Sequence, residues 1–181
     1  GGGGVVGAVR RPDVRPGRCS AAAASARGAG RPHGQTMERG RVFHGKPLIR
    51  HAQVLLPASR GDGKIPAMII VHGSGGVRIE REFAYAREFN DLGIASVVID
   101  SFTPRGIKTT VRDQAPVSSY DMLTDAVHTL NAVAHNPAID PARIGVIGFS
   151  KGGTVAIEAA LRRYMDPLSG SQTRFAVLVA M

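Results

Sequence analysis

A mainly parallel, doubly wound α/β sheet is the fold class this sequence predicts, and three observations predict it. From residue 51 onward, short β-branched runs alternate with longer helical patterns, the order that produces parallel strands joined by right-handed helical crossovers. Three of the runs, "IPAMIIVHG" (65–73), "IASVVID" (94–100) and "RIGVIGF" (143–149), are nearly continuous in apolar residues, as strands buried on both faces must be. Glycine-rich stretches, "HGSGG" and "GFSKGG", stand at the carboxyl ends of two of these runs, where sheets of this kind hold their ligands.

In chain order, "AQVLLP" (52–57) reads as a strand closed by the Gly- and Asp-rich turn "RGDGK". After the first buried run, Arg78 to Leu92 carries Phe83, Ala86, Phe89 and Leu92 at helical spacing and stops at Gly93. After the second, Ser118 or Ser119 can cap a helix with Asp121 in its first turn; its apolar stripe is Leu123, Ala126, Val127, Leu130 and Val133. "NPAIDPA" breaks that helix, because each proline disfavours the helical conformation in the residue before it. The third buried run leads into a helix of small residues starting at Ser150, and "RFAVLVA" (174–180) is a fourth buried strand.

The chain has 181 residues and a formal net charge of +9, which suggests a nucleic-acid partner until the charge is located. Residues 1–50 hold ten Lys or Arg against Asp13 and Glu38, whereas residues 51–181 hold thirteen against twelve acids, so the body is close to neutral. Residues 1–40 form a basic tail of Gly, Ala, Arg and Pro with few large apolar side chains, expected to be disordered, ahead of a folded domain over 41–181. The tail has no aromatic residue to stack on a base before Met37, the first methionine and a candidate start of translation, so no nucleic-acid partner is expected. No stretch approaches the ~18 apolar residues of a membrane span, "SAAAASA" is too short for a signal-peptide core, and the single cysteine, Cys19, lies in the tail. A cytoplasmic protein without membrane contact is the expectation.

Gly148-Phe149-Ser150-Lys151-Gly152 fits G-x-S-x-G. The pentapeptide alone is weak; the buried strand before it and the helix after it give it meaning. A strand-to-helix turn that sharp holds the serine hydroxyl above the sheet, and a Cβ at either flanking glycine would meet backbone. Ser150 is therefore the candidate nucleophile, the alternative being a serine that merely caps a helix. "HGSGG" can supply a backbone N–H from Ser74 to an oxyanion hole whose second donor is the N–H of Lys151; its other reading is a flexible turn. Phosphate-loop spacings are not met by "GSGGVR" or "HGSGGV".

Taken together, "VHGSGG", "VVIDSFTPRG" (97–106) and "DPARIGVIGFSKGG" (140–153), in that order and spacing, resemble the dienelactone hydrolase family of the α/β-hydrolases over roughly residues 50–181. The resemblance implies a serine or cysteine nucleophile on the elbow and an Asp/Glu–His pair later in the chain. It also implies hydrolysis of a small-molecule ester or lactone with no metal and no cofactor. Ser150 stands where the founding dienelactone hydrolases carry cysteine. Arg105 and Lys151 are candidates to attract an anionic substrate.

Glu158 and Asp166 follow Ser150, but no histidine does. The expected order of nucleophile, acid, histidine is therefore incomplete, and the chain reads as a fragment lacking the last strands and helices and inactive by itself. His72 reads as structural, and Asp100 as the anchor of the "DSFTPRG" loop. Alternatives are an acyl-peptide hydrolase or peptidase of the same fold, or a non-catalytic relative acting as a binding module.

Overall fold

The computed structural model describes residues 34–43, 46–58, 63–169 and 173–181. The expected tail lies outside the described residues as far as residue 33, Cys19 included. A six-stranded sheet contains β1 (Gly34–Phe43), β2 (Lys46–Leu55), β3 (Ile65–Val71), β4 (Ala95–Asp100), β5 (Ile139–Gly148) and β6 (Val177–Ala180). Their spatial order is β1-β2-β4-β3-β5-β6, with β2 antiparallel to β1 and β4 and the remaining pairs parallel. β1 starts inside the stretch expected to be tail. An outer strand of this kind draws its order from ladder bonds, here running from Gly34 opposite Gln53 to Phe43 opposite Lys46, and composition does not report them.

Successive side chains of a strand point to opposite faces, and the core divides accordingly. Ala67, Ile69, Val71, Val97, Ile99 and Val146 face α2 (Ser119–Ala134) and α3 (Lys151–Ala159), packing with Leu123, Leu130 and Val155. Ile70, Val98, Ile147 and Phe149 face the other way, toward Phe83, Ala86 and Phe89 of the segment that ends in α1 (Ala84–Asp91). This is the doubly wound arrangement expected, except that the fourth strand, expected to be buried over 174–180, is β6 at the sheet edge with mostly exposed residues, because it pairs on one side only. Each fully buried Ile or Leu stabilises it by about 1.5–3 kcal/mol relative to exposure. Beyond α3 the chain makes the one-turn α4 (Arg162–Met165) before β6.

The helix starts have local causes. Ser118 is the N-cap of α2: its hydroxyl accepts from Asp121 N–H, and the Asp121 carboxylate accepts from Ser118 N–H in return. Ser119, the other candidate, instead donates to Glu158 at 2.8 Å. The helix expected from Arg78 begins as a wide turn over Ile79–Phe83 and becomes regular only at Ala84. The buried Glu82 carboxylate accepts the Arg78 N–H at 2.8 Å and the Arg81 guanidinium at 2.6 Å, and these bonds hold the wider turn.

Candidate active site

β5 delivers the chain to Ser150, and α3 leaves from it. Ser150 has φ 53° and ψ −111°, and it is the one non-glycine residue with positive φ among those described. Its side chain is exposed, while Phe149 before it and Gly152 and Gly153 after it are buried. Such a conformation costs about 1–3 kcal/mol and persists only where the surroundings over-determine it. They do so here: Ser150 N–H donates to Met181 O at 2.6 Å, Phe149 N–H to Val71 O at 3.0 Å, and Thr154 N–H to Ser150 O at 3.1 Å.

The flanking glycines are required by space. A Cβ on Gly148 would stand 1.8 Å from Gly152 O, inside the first turn of α3. One on Gly152 would stand 2.4 Å from Val71 O, at the end of β3. One on Gly153 would meet Met181 O at 2.9 Å. The elbow is thus pressed against the ends of β3 and β6.

Across from it, "HGSGG" closes on itself through Gly76 N–H to Gly73 O at 3.0 Å. A Cβ on Gly73 would lie 3.4 Å from the Cβ of Ser150, so this loop is the neighbour of the hydroxyl-bearing residue. Ser74 sits in that loop, and Lys151 opens α3, where a backbone N–H has no partner within the helix. Among the described residues no backbone acceptor takes the N–H of Ser74 or of Lys151.

His72 is fully buried under the loop. Its Nδ1 donates to Gly73 O at 2.7 Å, which leaves Nε2 to accept the Ser101 N–H at 3.1 Å. With both ring nitrogens used, it braces the loop and is not placed to take a proton from Ser150. Burial holds its pKa below the ordinary 6.5. On unfolding the imidazole gains a proton once pH falls through 6.5, whereas the folded ring resists, so stability falls below that pH by up to about 1.4 kcal/mol per unit. Melts at pH 7, 6 and 5 should show this decline, flattened in His72→Gln, and a parallel slope in the variant would refute it. Asp100 contributes in a different window. Burial raises its pKa, but bonds from Thr103 and Phe102 outweigh this and hold it below 3.8, so its stabilisation is lost only at lower pH. As expected, its Oδ1 accepts both amides at 2.9 Å and anchors the "DSFTPRG" loop.

Arg105, expected to attract an anionic substrate, has partners within the protein. Its guanidinium makes a fork-like pair with Asp125 of α2 at 2.6 and 3.1 Å and donates to Ser101 O at 2.6 Å, with only 12% of the side chain exposed. A cation committed to a buried carboxylate is structural; losing one partner strands a buried charge, at a cost of about 3–5 kcal/mol. Lys151 likewise turns its ammonium to backbone, toward Val117 O and, at 3.1 Å, Gln114 O. Burial pushes its pKa down, partly offset by Asp121 and Asp113. These partners belong to the segment after Gly106, "IKTTVRDQAPVSS", which has no periodicity to reveal such a role.

A family model described as the dienelactone hydrolase family matches residues 51–168. The chain belongs to the dienelactone hydrolase family. Among solved structures, it is similar to the dienelactone hydrolase from Anabaena variabilis, with 20% identity, TM-score 0.54, and coverage of 73% of this chain and 58% of that one. It is also similar to esterase B from Lactobacillus rhamnosis, solved with a tributyrin phosphonate inhibitor, with 20% identity, TM-score 0.52, and coverage of 70% and 41%. Est1E from Butyrivibrio proteoclasticus matches with 22% identity, TM-score 0.50, and coverage of 66% and 43%. These likenesses show the fold, and the chain spans only 41–58% of the length of these three proteins. No match to a curated protein was found. Among the described residues no helix is long and apolar enough to cross a membrane. A pocket lined by Val54, Val97, Val133 and Ile139 lies at the opposite ends of the strands from the dienelactone hydrolase elbow.

Proposed function

We propose that this domain carries the nucleophile of a serine hydrolase acting on a small-molecule carboxylic ester or lactone. The observation that carries the reading is the strained, exposed Ser150, held between β5 and α3 directly beside the "HGSGG" loop. In the reaction, Ser150 Oγ bonds to the carbonyl carbon while its proton passes to a base. The carbonyl π electrons move onto oxygen, where the N–H groups of Lys151 and Ser74 receive the developing charge. Collapse breaks the C–O bond of the leaving group, which departs with the proton as an alcohol, or stays attached in a lactone. Water then repeats the sequence on the acyl-serine and releases the acid.

No histidine follows Ser150 in these 181 residues, and His72 has both ring nitrogens occupied, so His72 does not supply the base. A fluorophosphonate probe tests the reading. The whole protein should become phosphonylated at Ser150, located by peptide mass, and residues 1–181 alone should react far more slowly. An intact protein that leaves Ser150 unlabelled would favour a binding module of the same fold.

A further inference from the structure

The two amides assigned to the oxyanion come from separate elements, Ser74 beyond β3 and Lys151 at the start of α3. One segment touches both residues through their other polar atoms. The Ser74 carbonyl accepts the Thr110 N–H at 2.8 Å and the Thr109 hydroxyl at 3.0 Å. The Ser74 hydroxyl donates to Gln114 Oε1 at 3.1 Å, and the Thr110 hydroxyl donates to the same oxygen at 3.4 Å. From the other side, the Lys151 ammonium donates to the carbonyls of Gln114 and Val117 and reaches Thr110 Oγ1 at 3.5 Å. Thr110 is fully buried, whereas residues 111–116 are exposed, so the segment is pinned at its roots and open along its crest. A Cβ on Gly76 would lie 3.2 Å from Lys108 O, which shows how closely the two loops are pressed together.

Resting on the hydrolase reading, we propose that Thr109–Val117 is a clamp that sets the spacing of the two oxyanion amides, with the Lys151 ammonium as its positioning residue. The ammonium suits the task because its three donors, on a flexible stem, can gather several carbonyls. A donor displaced by even 1 Å costs about 10² in rate, while ground-state binding, which does not use the oxyanion contacts fully, is spared. A merely structural lysine would have no such selective effect.

The test is steady-state hydrolysis of a p-nitrophenyl ester by the whole protein. Lys151→Met should lower kcat by about tenfold to a hundredfold with KM within about twofold of wild type, and Lys151→Arg should recover part of the loss. Gln114→Met, which keeps the ammonium and removes the acceptor for Ser74, should shift kcat in the same direction and serves if Lys151→Met does not fold. Arg87→Ala, exposed on α1 and outside this segment, should be unchanged. Loss confined to KM, or wild-type kcat in both the Lys151 and Gln114 variants, overturns the clamp. Ser150→Ala, run in parallel, separates the two readings: hydrolysis surviving there would sink the hydrolase assignment itself, whereas its loss beside a fully active Lys151→Met would sink only the clamp.

Discussion

Ser150→Ala should abolish ester hydrolysis by the whole protein, with a fall in kcat on the order of 10⁶, the scale on which removing the nucleophile of a serine hydrolase acts. The thermal midpoint should hardly move. Alanine retains the Cβ and the positive φ, and the hydroxyl makes no hydrogen bond to a protein partner among the described residues, so no packing is lost. Ser150→Gly is the informative companion. It should be equally inactive yet melt higher, because glycine adopts φ 53° without strain and recovers part of the ~1–3 kcal/mol stored there, less the ~0.4–1 kcal/mol that its looser unfolded chain costs. An Ala variant with more than a few per cent of wild-type turnover would remove Ser150 from the chemistry. A Gly variant that melts lower would show that the turn is not strained.

Gly148→Ala should leave little folded protein. The added methyl would stand 1.8 Å from Gly152 O and 2.2 Å from Gly152 C, and these are backbone atoms of α3 that cannot rotate aside. Relief requires α3 to move off the end of β5, which would break the contacts of Val155 and Ala156 in the core. A loss of about 4 kcal/mol or more is expected, a large part of the ~5–15 kcal/mol that a domain usually has. Denaturant unfolding or the soluble yield measures it. A variant that melts within a few degrees of wild type would mean the elbow is far looser than its geometry indicates.

The residues that were legible in the sequence are those whose role is set by near neighbours. Ser118 and Asp121 cap each other across three positions, and the alternation in β3, β4 and β5 assigns side chains to faces without reference to distant elements. The glycines around Ser150 announced a tight turn because the clash they avoid lies largely within the turn itself, although Gly152 and Gly153 also clear β3 and β6. The partners of Arg105 and Lys151 are not legible in the sequence for the opposite reason. A cation's residue type says that it seeks oxygen, but not which one, and their partners, Asp125 and the carbonyls of Gln114 and Val117, lie 20 and 34–37 positions away. The wide turn over Ile79–Phe83 escaped notice because it depends on where the Glu82 carboxylate is buried. Reading the family from motifs succeeded because the motifs sit at strand ends that the sheet then brings together.

The bond from Ser150 N–H to Met181 O also fixes an order of events during synthesis. When Ser150 is added to the growing chain, the carbonyl that will accept its N–H has yet to be translated. That bond can form only once β6 has paired with β5. The final restraint on the elbow is therefore made by the last of the described strands to be synthesised.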